Sequence, residues 1–256
     1  RGNNCSLLEW IDGEPIEAGG FYELDAAARF LRKVHVLRRG KETEILPLGT
    51  EACLSGTELI RQLHARVARL KTSEHKWFKD FLCNEFSPEI EKIENWARSI
   101  YEGSKSDFSG ELHRKHWTLS PVDFGFHNML RKHDGNIIFL DFEYFGWADP
   151  VNLAADTLLH PGINLKYTLK QHLYQHFMQI YGAEPSFYNR LKALYPLYGL
   201  RWCTIIMNHF LPGYVASYTD GMTQEEKTAL LEEKFLQVRA SAQFVFESYA
   251  EFPYVN

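Results

Sequence analysis

Two aspartates and an asparagine stand beside short apolar segments near the middle of this 256-residue chain. Asp123 is followed five residues later by Asn128, and Asp141 comes directly after the apolar run at 136–140. A carboxylate at Asp123 could orient a hydroxyl group and accept its proton. Oxygens from Asn128 and Asp141 suit Mg²⁺, which prefers oxygen ligands. A base beside two metal-binding oxygens is what phosphoryl transfer requires, because that reaction depends mainly on positioning and charge neutralisation.

Each of these residues also has an ordinary structural interpretation. An isolated Asp-x4-Asn pattern is most often a polar turn, and an aspartate such as Asp141 can simply cap a strand. The combination of Asp123, Asn128 and a strand-ending Asp141 is much more specific than either part. We therefore expect a functional site here.

The elements that must position this site are mainly helical. Apolar residues recur at helical spacing over 27–37, 59–70 and 90–100. Gly40 is expected to stop the first helix. Ser87, followed by proline and glutamate, predicts the start of the third helix, with Ser87 as its N-cap.

A further helix and a few short strands complete the predicted elements. Thr223 and Glu226 form a capping-box pattern in front of a long helix. Strand signals cover 6–11, 136–140 and, more weakly, 116–119. The sequence thus predicts a mainly helical α+β body with one small β element around the candidate site.

Composition excludes several classes of protein. The chain has 28 basic and 33 acidic residues, a formal charge of −5, so a nucleic-acid partner is not expected. No apolar run reaches the length of a membrane helix, which predicts no membrane partner. The four cysteines are widely separated, which argues against a zinc knuckle or a disulfide scaffold and favours a cytoplasmic location.

The candidate site resembles that of the aminoglycoside phosphotransferase and choline kinase-like enzymes, relatives of the protein kinases. Their catalytic loop reads His-Gly-Asp-x-x-x-x-Asn, and it is followed by a strand ending in Ile-Asp-Phe/Trp-Glu and by a Gly-Asp-Pro segment. The resemblance implies that Asp123 is the catalytic base and that Asn128 and Asp141 bind Mg²⁺. Glu143 would contact a second metal ion or brace the loop. Residues 147–154 resemble the Gly-Asp-Pro segment.

Near the start of the chain, residues 8–13 resemble the hinge between the two lobes of these kinases. The resemblance implies that the Glu9 carbonyl and the Ile11 amide bind the adenine of ATP. No glycine-rich hairpin or strand lysine precedes this segment, so we expect a C-terminal lobe of the protein-kinase-like fold whose N-terminal lobe is absent from this chain. The implied organisation is a hinge strand at 1–13 and a helical lobe at 14–256, with the catalytic loop at 119–128 and the metal-binding strand at 136–143.

The sequence departs from the family pattern at two positions. Pro121–Val122 replaces the usual His-Gly, so the support normally given by that histidine must come from elsewhere. Asn152 stands where the family often has aspartate. Four residues could meet the substrate, although packing explains them at least as well: His127, Trp202, Asn208 and His209.

Other polar residues carry weaker signals. His172 and His176 have the i, i+4 spacing of zinc ligands, but the sequence offers no third ligand, so a solvated helix face is the expected arrangement. His35 is expected to act as a cation at a helix C-terminus. Ser120 lacks the G-x-S-x-G context of a hydrolase nucleophile.

The leading hypothesis is an ATP- and Mg²⁺-dependent phosphotransferase that acts on a hydroxyl of a small molecule. A second hypothesis is a catalytically silent kinase-like binding module. A third is a metal-dependent hydrolase that uses Asp123, His127 and Asp141. The sequence selects neither the acceptor nor the oligomeric state.

Overall fold

The computed structural model describes residues 9–163, 165–214, 219 and 221–254. The helices are α1 (Phe21–Leu37), α2 (Gly56–Leu70), α3 (Lys76–Phe81), α4 (Ser87–Gly103), α5 (Pro150–Leu159), α6 (Tyr167–Tyr181), α7 (Phe187–Ile206) and α8 (Gln224–Ser248). The strands are β1 (Glu14–Pro15), β2 (Thr118–Ser120), β3 (Met129–Arg131), β4 (Ile137–Phe139) and β5 (Gly146–Ala148).

Helix α7 lies at the centre of the helical body. It packs against α2, α4, α5 and α8, and most of its residues are buried. The core includes completely buried leucines of α7 such as Leu191 and Leu197, together with Leu59 of α2 and Ile90 of α4. The apolar stripes of the surrounding helices therefore share one core, as amphipathic helices require.

In the described part of the chain, five short strands form two antiparallel sheets beside this body. One sheet has the order β1-β3-β4, and the other consists of β2 and β5. Met129 pairs with Phe139 across the β3-β4 hairpin, and Leu119 pairs with Trp147 between β2 and β5. Asp123 thus follows a strand of one sheet, and Asp141 follows a strand of the other.

The predicted helices are present, with one error at a boundary. Helices α1 and α2 cover the first two apolar stripes, and Thr223 forms the predicted capping box with Glu226 at the start of α8. The prediction that Ser87 is an N-cap is wrong. The helical backbone continues from α3 through a π-helical turn at Leu82–Phe86, and the Ser87 hydroxyl donates to the Leu82 carbonyl (2.7 Å). The side chains of Phe81, Leu82 and Phe86 are buried here, and this tertiary packing overrides the local capping pattern.

The predicted strands differ from the observed ones mainly at their ends. Strand β4 lies inside the predicted 136–140, and β2 begins two residues later than the predicted 116–119. Residues 6–8 of the first predicted strand lie outside the described residues, and residues 9–11 form no strand. The residues that pair at this end of the chain are Glu14 and Pro15, opposite β3.

The expectation that His35 is a cation at the end of α1 is wrong. Burial and the nearby positive charge of Arg38 lower the pKa of His35 to about 4, against the opposing charge of Glu184. Its Nδ1 lies 2.9 Å from the Thr118 hydroxyl, which links α1 to β2. His35 is therefore a neutral packing residue near neutral pH, because desolvation outweighs the helix-end field.

Among the described residues, no helix is both long enough and apolar enough to cross a bilayer.

Candidate active site

The loop after β2 presents Asp123 through a strained turn. The buried Ser120 hydroxyl accepts a hydrogen bond from the Val122 amide (3.0 Å), and the Asp123 amide donates to the Pro121 carbonyl (3.0 Å). Val122 has φ of +68°, a left-handed conformation that is rare for a β-branched residue. Such a conformation costs about 1–3 kcal/mol and tends to occur at functional sites. Ser120 thus shapes the loop, and Val122 adopts the backbone that a glycine at this position would adopt freely.

Both carboxylate oxygens of Asp123 lie beside imidazole rings. Oδ1 is 2.9 Å from His160 Nε2, and Oδ2 is 3.2 Å from His127 Nε2. The hydrogen bond from His160 is the main cause that lowers the pKa of Asp123 to about 2, with a smaller contribution from His127 and against the effect of partial burial. Asp123 is consequently an anion at neutral pH.

His160, the residue that follows α5, is held in one tautomer. The Gly162 amide donates to His160 Nδ1 (3.0 Å), so Nε2 carries the ring proton and donates it to Asp123. The ring is also packed between His127 at 5.1 Å and Trp202 at 4.7 Å, measured between centroids. His160 therefore fixes the carboxylate through a bond of defined direction.

The β3-β4 hairpin brings Asn128 and Asp141 to one end. Because Met129 pairs with Phe139, the residues just outside the hairpin also face each other, and the Leu140 amide donates to the Asn128 carbonyl (2.9 Å). The Asn128 side-chain amide donates to the Asp123 carbonyl (2.9 Å), which ties the hairpin to the Asp123 loop. Asp141 follows in a left-handed conformation (φ +59°) and is exposed.

Three carboxylates share the neighbourhood of the Tyr144 hydroxyl. A hydrogen bond and the charge of Glu143 raise the pKa of Tyr144, and the charges of Asp141 and Asp123 act in the same direction. Glu143 is thus engaged with its neighbour Tyr144 while remaining exposed. Asp141 and Glu143 thus offer exposed anionic oxygens on the same side of the site as Tyr144, and oxygens of this kind are the ligands that Mg²⁺ prefers.

A cleft of about 410 Å³ opens beside Asp123. It brings together three of the residues considered as substrate contacts: His127, Trp202 and Asn208. His209 is not among the lining residues, and its Nδ1 instead lies 2.8 Å from the Ile206 carbonyl.

The lining of this cleft includes residues that sequence reasoning missed. His160 lies after the helix that the Asp-Pro segment opens, and no spacing rule connects it to Asp123. Glu51 and Arg66, which form an ion pair at the rim, come from the region before and within α2. Nothing local marks them, because they reach the cleft only through the packing of α2 against α7.

The two residues expected to bind adenine lie in irregular backbone ahead of β1. Glu9 is exposed and Ile11 is partly buried. The structure places neither of them among the residues that line the cleft.

Two buried ion pairs fix α5 against α7, below the site. Asp149 caps α5 by accepting from the Val151 amide (2.8 Å), with Pro150 as the first helical residue, and it also pairs with Arg190. About two turns further along, Asp156 pairs with Arg201. Both pairs are almost completely buried, so each charge depends on its partner for compensation.

Asn152 connects the second pair to the cleft. Its side-chain oxygen accepts from the Cys53 amide (3.0 Å), and its nitrogen donates to Asp156. Arg201 in turn donates to the Glu51 carbonyl (3.2 Å). The asparagine therefore serves as a buried hydrogen-bonding bridge between α5 and the segment that carries Glu51.

No protein-family model and no curated protein matches the sequence. Solved structures do match the fold. An aminoglycoside phosphotransferase from Alicyclobacillus acidocaldarius is similar, with a TM-score of 0.53 at 16% identity over 94% of this chain and 69% of its own. A choline/ethanolamine kinase family protein from Mesorhizobium loti gives 0.52 at 13% identity over 95% and 73%. A spectinomycin phosphotransferase in complex with ADP and spectinomycin gives 0.50 at 13% identity over 91% and 70%.

The chain therefore has the protein-kinase-like fold that these small-molecule kinases share, which confirms the resemblance at the level of the fold.

Proposed function

We propose that this protein is a small-molecule kinase that transfers a phosphoryl group from ATP to a hydroxyl of its acceptor. The observation that carries the proposal is the convergence of Asp123, Asn128 and Asp141. Asn128 is hydrogen-bonded to the Asp123 loop and lies opposite Leu140, the residue just before Asp141, at the end of one hairpin. These three residue types in this arrangement supply what phosphoryl transfer needs: an oriented acceptor and neutralised phosphate charge.

Asp123 would orient the acceptor hydroxyl and take its proton. Oδ1 is occupied by the short bond from His160, so Oδ2 on the His127 side is the oxygen we assign to the acceptor. A carboxylate with a pKa of about 2 is a weak base, but phosphoryl transfer through a loose transition state requires positioning more than basicity. In this proposal His160 is a positioning residue that replaces the support lost with Pro121–Val122.

The metal and nucleotide roles follow from the donor set. The Asn128 and Asp141 side chains would hold Mg²⁺, and Glu143 would bind a second ion or brace the loop. Bound Mg²⁺ would supply charge neutralisation for the phosphates of ATP. The Glu9 carbonyl and the Ile11 amide are the proposed adenine contacts. The acceptor would enter the cleft beside Asp123, with Trp202 and Asn208 on its walls.

The first experiment measures transfer directly. The protein is incubated with Mg-ATP and a panel of hydroxyl acceptors that includes choline, ethanolamine, an aminoglycoside and spectinomycin, and the phosphorylated product is detected by ³¹P NMR. Asp123→Asn should abolish transfer while Mg-ADP binding, measured by calorimetry, is retained. Asp141→Asn should weaken Mg-ADP binding.

Asp134→Asn is the matched control. Asp134 lies in the exposed turn of the β3-β4 hairpin, where it accepts from the Asn136 amide, so its replacement changes the same charge away from the cleft. Equal turnover in the Asp123, Asp141 and Asp134 variants would refute the assignment. Phosphate release without any acceptor would instead favour a metal-dependent hydrolase that uses Asp123, His127 and Asp141.

A catalytically silent binding module is the second candidate. It is favoured by the fact that both oxygens of Asp123 already have imidazole partners, so an acceptor hydroxyl must compete with His127. This candidate predicts that small hydroxyl compounds bind in the cleft without turnover of Mg-ATP. Restoration of transfer by His127→Ala would show that His127 is the inhibitory contact.

A further inference from the structure

A second group of convergent ligands lies between α1 and α6, apart from the candidate active site. Asp25 lies on α1, and His172 and His176 lie one turn apart on α6. Asp25 Oδ1 is 2.8 Å from His172 Nε2 and 2.9 Å from His176 Nε2, and the two imidazole nitrogens are 3.2 Å apart. Three side chains from two helices therefore direct one donor atom each towards a single point.

These distances are close to those of a tetrahedral metal site. Ligands about 2.0–2.1 Å from Zn²⁺ lie about 3.3 Å from one another at the tetrahedral angle. The observed separations of 2.8, 2.9 and 3.2 Å would each widen by about 0.5 Å or less. Small side-chain adjustments at a partly exposed site are sufficient for such a change.

The donor set selects the kind of metal. Two imidazole nitrogens and one carboxylate oxygen suit borderline divalent ions such as Zn²⁺, whereas Mg²⁺ prefers oxygen ligands and keeps much of its water. The side chains are 42%, 28% and 19% exposed for Asp25, His172 and His176, so an ion can enter and a water molecule can take the fourth position.

We propose that Asp25, His172 and His176 form a binding site for a divalent transition-metal ion of the Zn²⁺ class, which cross-links α1 to α6. The arrangement is not explained by helix spacing alone, because the third ligand comes from a helix 147 residues earlier in the chain. The proposal does not depend on phosphoryl transfer at Asp123.

The residues around His172 and His176 predict that the metal ion binds reversibly. The Phe21 ring packs edge-on against His172, with 5.0 Å between centroids, and shields one side. His176 Nδ1 is buried and has no hydrogen-bond partner among the described residues. A hydrogen-bond partner on the second nitrogen of a metal-binding histidine typically raises metal affinity by about 10–100-fold. Because His176 lacks this partner, we expect the metal affinity to be moderate and a chelator to remove the ion.

The test uses Co²⁺ and Zn²⁺ as probes on the chelator-treated full chain. Co²⁺ should bind and give the visible absorption of a four-coordinate site, Zn²⁺ should displace it, and Mg²⁺ should not. Asp25→Asn, His172→Gln and His176→Gln should each lower the Co²⁺ affinity by more than about tenfold.

His127→Gln is the control, because Asp123, His127 and His160 form another convergent group of carboxylate and imidazole atoms in the described part of the chain. This variant should keep the Co²⁺ affinity of the site on α1 and α6. Absence of saturable Co²⁺ binding, unchanged affinity in the Asp25 and α6 variants, or loss of binding in His127→Gln alone would each overturn the proposal.

Hydrogen exchange of the unmodified protein gives a measurement that does not depend on how the variants fold. Zn²⁺ should slow amide exchange in α1 and α6, because an ion that binds only the folded state suppresses local opening around it. Slowing confined to the loop at 123–128 would overturn the proposal.

Discussion

Replacing Arg201 with methionine removes one half of the buried ion pair that joins α7 to α5. The Arg201 and Asp156 side chains are 5% and 10% exposed. Asp156 also accepts from Asn152, and Arg201 packs over the Tyr198 ring at 4.7 Å. Methionine can occupy much of the space of the arginine stem, so the main consequence of the change is an uncompensated carboxylate in the core.

The expected loss follows from that uncompensated charge. Removing one partner of a buried pair typically costs about 3–5 kcal/mol, a large share of the roughly 5–15 kcal/mol by which domains are stable. We therefore expect Arg201→Met to lower the free energy of unfolding by about 3–5 kcal/mol at neutral pH.

The loss should also depend on pH. Burial raises the pKa of Asp156, and the charge of Arg201 opposes that rise. Because Arg201→Met removes the opposing charge, the pKa of Asp156 in the folded variant should lie well above its ordinary value. A group whose pKa is raised on folding contributes stability at low pH and loses it as pH increases through the folded-state value. The variant should therefore be closest to wild type in acid, and its deficit should grow by up to about 1.4 kcal/mol per pH unit.

Urea unfolding of both proteins at pH 5 and pH 8 measures these quantities. Arg201→Met combined with Asp156→Leu is the matched control, because removing both charges should recover most of the lost stability. A deficit below about 1 kcal/mol at pH 8, or a deficit that does not change with pH, would contradict the assignment of a buried, mutually dependent pair.

Three further predictions concern the loop at Val122, the last helix and the Asp123 carboxylate. Val122→Gly should be about 1–2 kcal/mol more stable than Val122→Ala in thermal unfolding, because only glycine adopts a φ of +68° without strain. Thr223→Ala should cost about 1 kcal/mol by removing the capping box of α8, whereas Thr228→Ala, at an exposed position inside that helix, should cost nothing. His160→Gln should raise the pKa of Asp123 from about 2 towards its ordinary 3.8, as measured by NMR titration. In the wild type, this interaction stabilises the fold above pH 3.8 and is lost as the pH falls towards 2. Its contribution is about 1 kcal/mol after discounting for the 38% exposure of the side chain.

Each of these predictions has a contrary outcome. Equal stability of the glycine and alanine variants would mean that Val122 is not strained. Equal losses at Thr223 and Thr228 would remove the capping explanation. An Asp123 pKa that is unchanged in His160→Gln, or that changes more in His127→Gln, would mean that His160 does not fix the carboxylate.

The histidines separate local information from tertiary information most clearly. The i, i+4 spacing of His172 and His176 is visible in the sequence, but the expectation of a solvated face is wrong because Asp25 of α1 meets both rings. The position of His35 at a helix end is also visible, but its charge is decided by the burial that packing imposes. In both cases the missing information is which other element covers the residue.

The sequence by itself determined the helical segments and the spacing of the candidate site residues. Apolar periodicity and the Thr223 capping box depend on neighbours within a few positions, and the spacing of Asp123, Asn128 and Asp141 is a property of one hairpin and its preceding loop.

Only the tertiary structure decided which side chains surround that pattern. His160 reaches Asp123 across 37 residues because α5 packs against β2, and Arg201 reaches Asp156 across 45 residues because α5 and α7 pack together. Such contacts arise from burial of whole helix faces, so no local spacing records them. They also determine which carboxylates are anionic and which depend on a buried partner, since desolvation and nearby charges control ionisation.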